Sequence, residues 1–333
     1  MTDGARLPAL LKSRPILLLL LLTPGIPEYL SSSSPLNAII LNPPLFLLQM
    51  LANVGLYGSG ALLIHDARVR WGKGWWTVIL LGTAYGILEE GVALSTLFDP
   101  KAGPVGQLGY YGHWLGVNWV WAAGIVPFHA LFSISIPLLL LGLALPETKT
   151  RALLSRRRTV AVLLILMADV IVLMAIVRLA SGYWMGTPIL ISSLLAVGSL
   201  VWASRRAPTR FLRSRVRPRR PSSRELALVG ISFFPAVLLT EALGNGAGIP
   251  SITDFAILLF LQALYLVYVT RTDWTGNPRG ELALALGLLV PIAVFGVLVE
   301  LSLPLTLLAD VCLYAFFRGL WSTYPQTNND SIA

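Results

Sequence analysis

Two adjacent carboxylates, Glu89 and Glu90, sit inside an apolar run from Trp75 to Phe98. A run of that length crosses a bilayer. An ionised carboxylate in hydrocarbon costs a few kcal/mol or more, so it persists where it faces a protein interior, a wet cavity, a proton or a cation. A later apolar run carries Phe128-His-Ala-Leu-Phe-Ser133. Its His129 falls at a depth similar to the Glu pair, and Asn118 precedes it by eleven residues, three helical turns, which predicts that both project from one face. Two carboxylates and an imidazole suit a divalent cation, with Glu90, His129 and the loop residue His113 as candidate ligands. The same set suits a proton site, or a glutamate acting as general base on water with His129 beside it. An interhelical hydrogen bond that only fixes packing is the bland alternative. Adjacent helical residues point about 100° apart, which predicts that one glutamate faces this site and the other meets a neighbouring helix or a bound proton.

The elements that would position these groups are membrane helices. The chain has 333 residues, 56% hydrophobic and only 12% charged, with a mean hydropathy of +0.74. That places it outside soluble composition and predicts an all-α, polytopic transmembrane bundle. Ten apolar segments are read at 15–30, 38–64, 75–97, 115–145, 159–179, 185–203, 225–243, 252–270, 281–298 and 301–317, about ten spans. The first has a leucine run that ends at Thr23-Pro-Gly-Ile-Pro27, which predicts a short broken helix flanked by Arg6, Lys12 and Arg14 rather than a cleaved signal peptide. Glu28 and Ser31 to Ser34 would lie at its outer mouth. Pro127 frees a backbone carbonyl in segment four and predicts a local kink.

All of the 25 Lys and Arg residues except Lys101 and Arg178 fall in alternate connections of this ten-segment scheme or at the termini on the same side. Basic residues stay cytoplasmic in short loops, so an integral membrane protein with both termini cytoplasmic is expected, in the cytoplasmic membrane. The densest basic stretch, Arg205 to Arg224, interleaves no aromatic except Phe211. It is expected to meet the bilayer and its anionic headgroups rather than nucleic acid. It divides the chain into residues 1–202, carrying the Glu-Glu/His region, a basic linker at 203–224, and residues 225–333. A single cysteine, Cys312, excludes a disulfide framework and a cysteine-based metal site within one chain. No P-loop, dinucleotide fingerprint or His-Glu-x-x-His appears, which argues against nucleotide-driven chemistry.

Further acids lie in the apolar runs. Asp169 and Asp310 are mid-segment and have no basic partner in the sequence pattern, so they join Asn118 as candidates for a polar pathway. Glu241, Asp254 and Glu300 fall nearer segment ends and are expected to cap or solvate them. His65, beside Asp66, reads as a cytoplasmic loop residue.

The Glu89-Glu90 pair in one segment, with Phe128-His129 and His129-x-x-x-Ser133 in the next, resembles the CPBP-type intramembrane proteases. That family carries Glu-Glu-x-x-x-Arg, Phe-x-x-x-His and His-x-x-x-Asn/Asp motifs. Here Leu94 stands at the arginine position, Phe128 is adjacent to His129, and Ser133 takes the amide or acid position. The resemblance covers segments three and four and implies that Glu89 or Glu90 activates water with His129 in support. Three function classes follow from the residues: a secondary transporter or ion-coupled permease using Glu89, Glu90, Asp169 and Asp310; an intramembrane, metal-dependent hydrolase; and a noncatalytic scaffold whose acids fix packing. A histidine or acidic group from another helix beside the Glu pair would favour the hydrolase.

Overall fold

The computed structural model describes residues 13–209, 219–299 and 304–324. They form an all-α bundle whose main apolar core runs from Leu18 in segment one to Leu320 in segment ten. Among the described residues, eight helices are long and apolar enough to cross a membrane. Two further helical elements complete the ten-segment order: Pro15–Leu30, shorter than a spanning helix, and Trp75–Gly86 with its continuation Ile87–Ala93. Segments five and six, Arg156–Ser181 and Thr187–Arg206, bury little of themselves. They turn Leu163, Leu164, Ile171, Leu194 and Leu195 outward, as helices facing lipid tails do.

Helix starts follow local hydrogen-bond chemistry. Ser155 and Ser222 accept from backbone N–H groups three residues on, which satisfies donors that the first turn leaves without a partner. Gly182, at φ 71°, ends segment five in the left-handed region that glycine enters without steric cost. Where segments pack closely, glycine lies between them. Gly230 of segment seven lies against the backbone of Leu284, Gly287 and Leu288 in segment nine, and a Cβ at Gly287 would collide with Ala227. With little hydrophobic drive between helices in lipid, such close backbone approach is a principal source of packing energy.

Among the described residues, four segments contain π-helical stretches: Gly25–Leu30, Val54–Gly58, Ile87–Ala93 and His129–Ser135. π-Helix is rare and concentrates at functional sites. Segment one was expected to break at Pro24 and Pro27. Instead Pro15–Pro24 continues without a gap into Gly25–Leu30. Neither proline has an N–H for the α ladder, and the chain answers by widening its turns. In segment four Pro127 deprives the carbonyl four residues back, on Ala123, of its α-helical donor. Gln262 Nε2 of segment eight donates to that carbonyl at 2.5 Å.

Several local expectations are corrected. Segment four begins at Trp119, because 113–118 form a two-stranded hairpin, His113–Trp114 against Val117–Asn118. His65 and Asp66 lie buried in the helix Ser59–Arg70, not in a loop. His65 Nε2 lies 2.9 Å from the Thr148 carbonyl. Asp66 accepts from the Leu153 and Leu154 amides and from Arg70, tying segment two to the connection after segment four. Glu241 and Asp254 are buried rather than solvated. Of the basic stretch, residues 205–209 and 219–224 are described. The remainder at 210–218, together with Arg6, Lys12 and Glu300, lies outside the described residues.

Candidate functional site

Each of the four π-helical stretches supplies a side chain to one buried polar assembly. His129 and Ser133 come from segment four, Glu89 and Glu90 from segment three, Tyr57 from segment two and Glu28 from segment one. Segments three and four approach closely enough for this because of Gly82-x-x-x-Gly86. A Cβ at Gly82 would stand 2.9 Å from Ala130 Cα, and one at Gly86 would stand 3.0 Å from the Val126 carbonyl and 3.2 Å from His129 Cβ. Small-x-x-x-small spacing places both glycines on one helix face.

The imidazole of His129, 3% exposed, is held from both sides. Nε2 lies 2.8 Å from Glu90 Oε1, and Nδ1 lies 2.9 Å from Ser133 Oγ. Glu90 Oε2 accepts from the Thr96 hydroxyl, whose oxygen accepts from Trp121 Nε1 at 3.2 Å. Glu90 is thus satisfied at both oxygens. Glu89 differs. Its Oε2 is 3.1 Å from His129 Nδ1, yet it is buried with no aligned hydrogen-bond partner. Such a buried acceptor is costly and calls for an explanation.

An aromatic wall encloses the ring. Tyr57 stacks on His129 at 6.0 Å between centroids, Tyr85 meets it edge-on at 6.2 Å, and Phe128 does so at 5.6 Å. The Tyr57 hydroxyl donates to Glu28 Oε1. Glu28 Oε2 accepts from Ser34, whose oxygen accepts from Gln49 and Asn53. Ser33, next along, is exposed. The buried assembly therefore continues as polar groups toward the surface at the end of segment one.

The expectation that one glutamate turns away from His129 is corrected. Both reach the same ring, because imidazole offers nitrogens on two sides and the π turn alters the angle between neighbouring residues. Asn118 is also corrected. It is not on the helix face of His129 but caps it, accepting from the Trp121 amide at 3.0 Å and donating to the Leu108 carbonyl at 2.6 Å. The spacing argument fails because the helix starts after Asn118 and changes to π at His129. His113 does not join the cluster either, since its Nε2 meets the Phe98 carbonyl at 3.0 Å. Asp169 packs on Gly55, beside Tyr57's stretch, with its Oδ2 lacking a partner. Asp310 keeps its Oδ1 without a partner in segment ten. Sequence reasoning missed Glu28, Tyr57, Thr96 and Tyr85 as neighbours of the site. The acid and serines of segment one were the available signal for the first of these.

The donor set fits a metal in kind: one ligand atom from each of Glu89, Glu90 and His129 falls within a 4.8 Å cluster. Without a metal, the ring has oxygen at both nitrogens and can take a second proton while keeping its partners, since the Ser133 hydroxyl turns from donor to acceptor.

The fold and this buried polar site define a polytopic integral membrane protein. Over residues 17–320 the chain matches an uncharacterized membrane protein family, and it belongs to that family. No curated protein and no solved structure matches it.

Proposed function

We propose that the protein is an intramembrane hydrolase in which Glu89 is the general base. The observation that carries this reading is the buried Glu89 Oε2, without a hydrogen-bond partner, 3.1 Å from a histidine of the neighbouring helix. A water on that oxygen would lose a proton to Glu89 as it attacks a carbonyl. His129, oriented by Glu90 and Ser133, would hold the proton needed by the leaving group. The resemblance of these residues to the CPBP-type proteases supports the same division of roles. A divalent cation, where bound, would be held by Glu89, Glu90 and His129 and would supply Lewis-acid polarisation of the carbonyl.

The purified protein in micelles, offered a mixture of apolar peptides and followed by mass spectrometry, tests this reading. Glu89→Gln is expected to lower cleavage by about 10²-fold or more, the scale of general acid–base catalysis, with unchanged thermal melting. Turnover that survives the substitution would overturn the proposal. Loss of cleavage in chelator, restored by Mn²⁺ or Zn²⁺, would assign the metal-assisted form. An ion-coupled transporter is the second reading, favoured by the partnerless oxygens of Asp169 and Asp310. It requires acid-dependent ion flux in proteoliposomes, which a hydrolase does not.

The basic connections support an orientation with both termini cytoplasmic and Arg205 to Arg224 against anionic headgroups. With Cys312 replaced, Gly106→Cys is then expected to react with an impermeant thiol reagent from outside intact cells. Labelling only after the cells are broken would reverse the orientation.

A further inference from the structure

We infer that Glu241 and Asp254 form a second cation site, distinct from Glu89, Glu90 and His129, that takes a hard divalent cation in exchange for two protons. Asp254 is 1% exposed and Glu241 8%. Both Asp254 oxygens and Glu241 Oε1 lack a hydrogen-bond partner. The two residues lie in consecutive helices, Ser223–Gly246 and Ser251–Arg271. Asp254 packs its carboxylate on Gly244, three residues after Glu241 and so on the same helix face. Glu241 Oε1 rests on Gly124 of segment four, in space that a Cβ would fill. Glu241 and the Asp254 carboxylate thus lie along one face of the helix Ser223–Gly246, at a junction of three helices.

Donors nearby are engaged elsewhere. The Tyr111 hydroxyl lies within reach of Asp254, but its proton is directed to the Ile249 carbonyl at 3.0 Å. Gln262 Nε2 donates to Ala123, and Thr240 Oγ1 donates to Ala236. Among the described residues no Lys, Arg or His forms an ion pair with either acid. Two carboxylates buried in protein without a cationic partner need compensating positive charge, and two protons or one divalent cation supply it. An oxygen-only donor set, completed by water or backbone carbonyl, selects Mg²⁺, Ca²⁺ or Mn²⁺ over softer metals. Binding converts two carboxylic acids and one M²⁺ into two ligating carboxylates and two released protons. No bond other than the two O–H bonds breaks. The site at Glu89 is not needed for this exchange.

A hydrophobic carbodiimide, which modifies protonated carboxyl groups, tests the inference on the chelator-treated full-length protein. Peptide mass spectrometry is expected to find modification at Glu241 or Asp254, read separately from Glu89 and Glu90. Mn²⁺ at about ten times its dissociation constant is expected to cut that modification about tenfold. Na⁺ at equal ionic strength is expected to leave it unchanged. Gly124→Ala places a methyl group where Glu241 Oε1 lies. Only the end of a flexible side chain has to move, so the fold is kept while Mn²⁺ protection is expected to be lost. Absence of modification in the chelated protein, equal protection by Na⁺, or full Mn²⁺ protection in Gly124→Ala would each overturn the assignment.

Discussion

Replacing Glu90 by leucine is expected to lower stability by about 1–3 kcal/mol, the cost of leaving one buried polar group without its partner. That group is His129 Nε2, which Glu90 Oε1 satisfies, whereas the Thr96 hydroxyl keeps the Glu90 backbone carbonyl at 3.2 Å. The lower half of that range is the more appropriate in lipid, where interhelical hydrogen bonds average about 0.6 and reach about 1.7 kcal/mol. Glu90→Gln keeps the shape, an acceptor and a donor, and is expected to cost about 1 kcal/mol or less. Glu89→Leu is expected to cost less than Glu90→Leu, because Glu89 Oε2 has no hydrogen-bond partner to lose. Reversible unfolding in mixed micelles measures all three. Equal losses at Glu89 and Glu90 would indicate a purely structural pair and count against the hydrolase. A Glu90→Leu protein as stable as wild type would remove Glu90 from the support of His129.

The pair of glutamates and His129 were legible in the sequence because charge inside an apolar run is expensive and therefore informative. Their depths could be compared by counting residues from each segment end. The helical class was legible for the same reason, through composition alone. The register around the site was not. α- and π-helical stretches have the same apolar composition, so nothing at Ile87–Ala93 or His129–Ser135 announced the wider turn. Counting three α turns from Asn118 to His129 therefore gave a face that does not exist. Asn118 is better read through its own chemistry: a short amide ahead of an apolar run is an N-cap. Glu241 and Asp254 misled in a different way. Distance from a segment end says how far along the helix a residue lies, not whether a third helix covers it. Segment four does cover Glu241, through Gly124. Glu28 was passed over because segment one is short and proline-rich, although that irregularity is what lets its acid reach the Tyr57 hydroxyl.

Gly86→Leu is expected to separate segments three and four and to abolish both the Glu90–His129 contact and any chemistry that depends on it. Gly82 and Gly86 form the face of segment three that packs on Val126, His129 and Ala130 of segment four. At Gly86 a Cβ would already press on the Val126 carbonyl at 3.0 Å and on His129 Cβ at 3.2 Å. A backbone carbonyl cannot move aside as a side-chain tip can, so the remaining carbons of leucine must push the helices apart. Overpacking of this kind costs about 1–3 kcal/mol, to which loss of the Glu90–His129 bond adds about 1 kcal/mol. The combined effect is expected to exceed that of Gly91→Ala in the same helix, where a Cβ meets only Leu97 and Phe98 side chains at 3.5 Å or more. The two variants, compared by unfolding in micelles and by cleavage of the peptide mixture, separate close approach from general helix propensity. Gly91→Ala is expected to keep the folded state and its turnover. Gly86→Leu is expected to lose turnover even in the fraction that remains folded, because a hydrogen bond of 2.8 Å between Glu90 and His129 does not survive a helix displaced by the width of a side chain. Wild-type turnover in Gly86→Leu would show that the chemistry does not depend on the contact between these two helices.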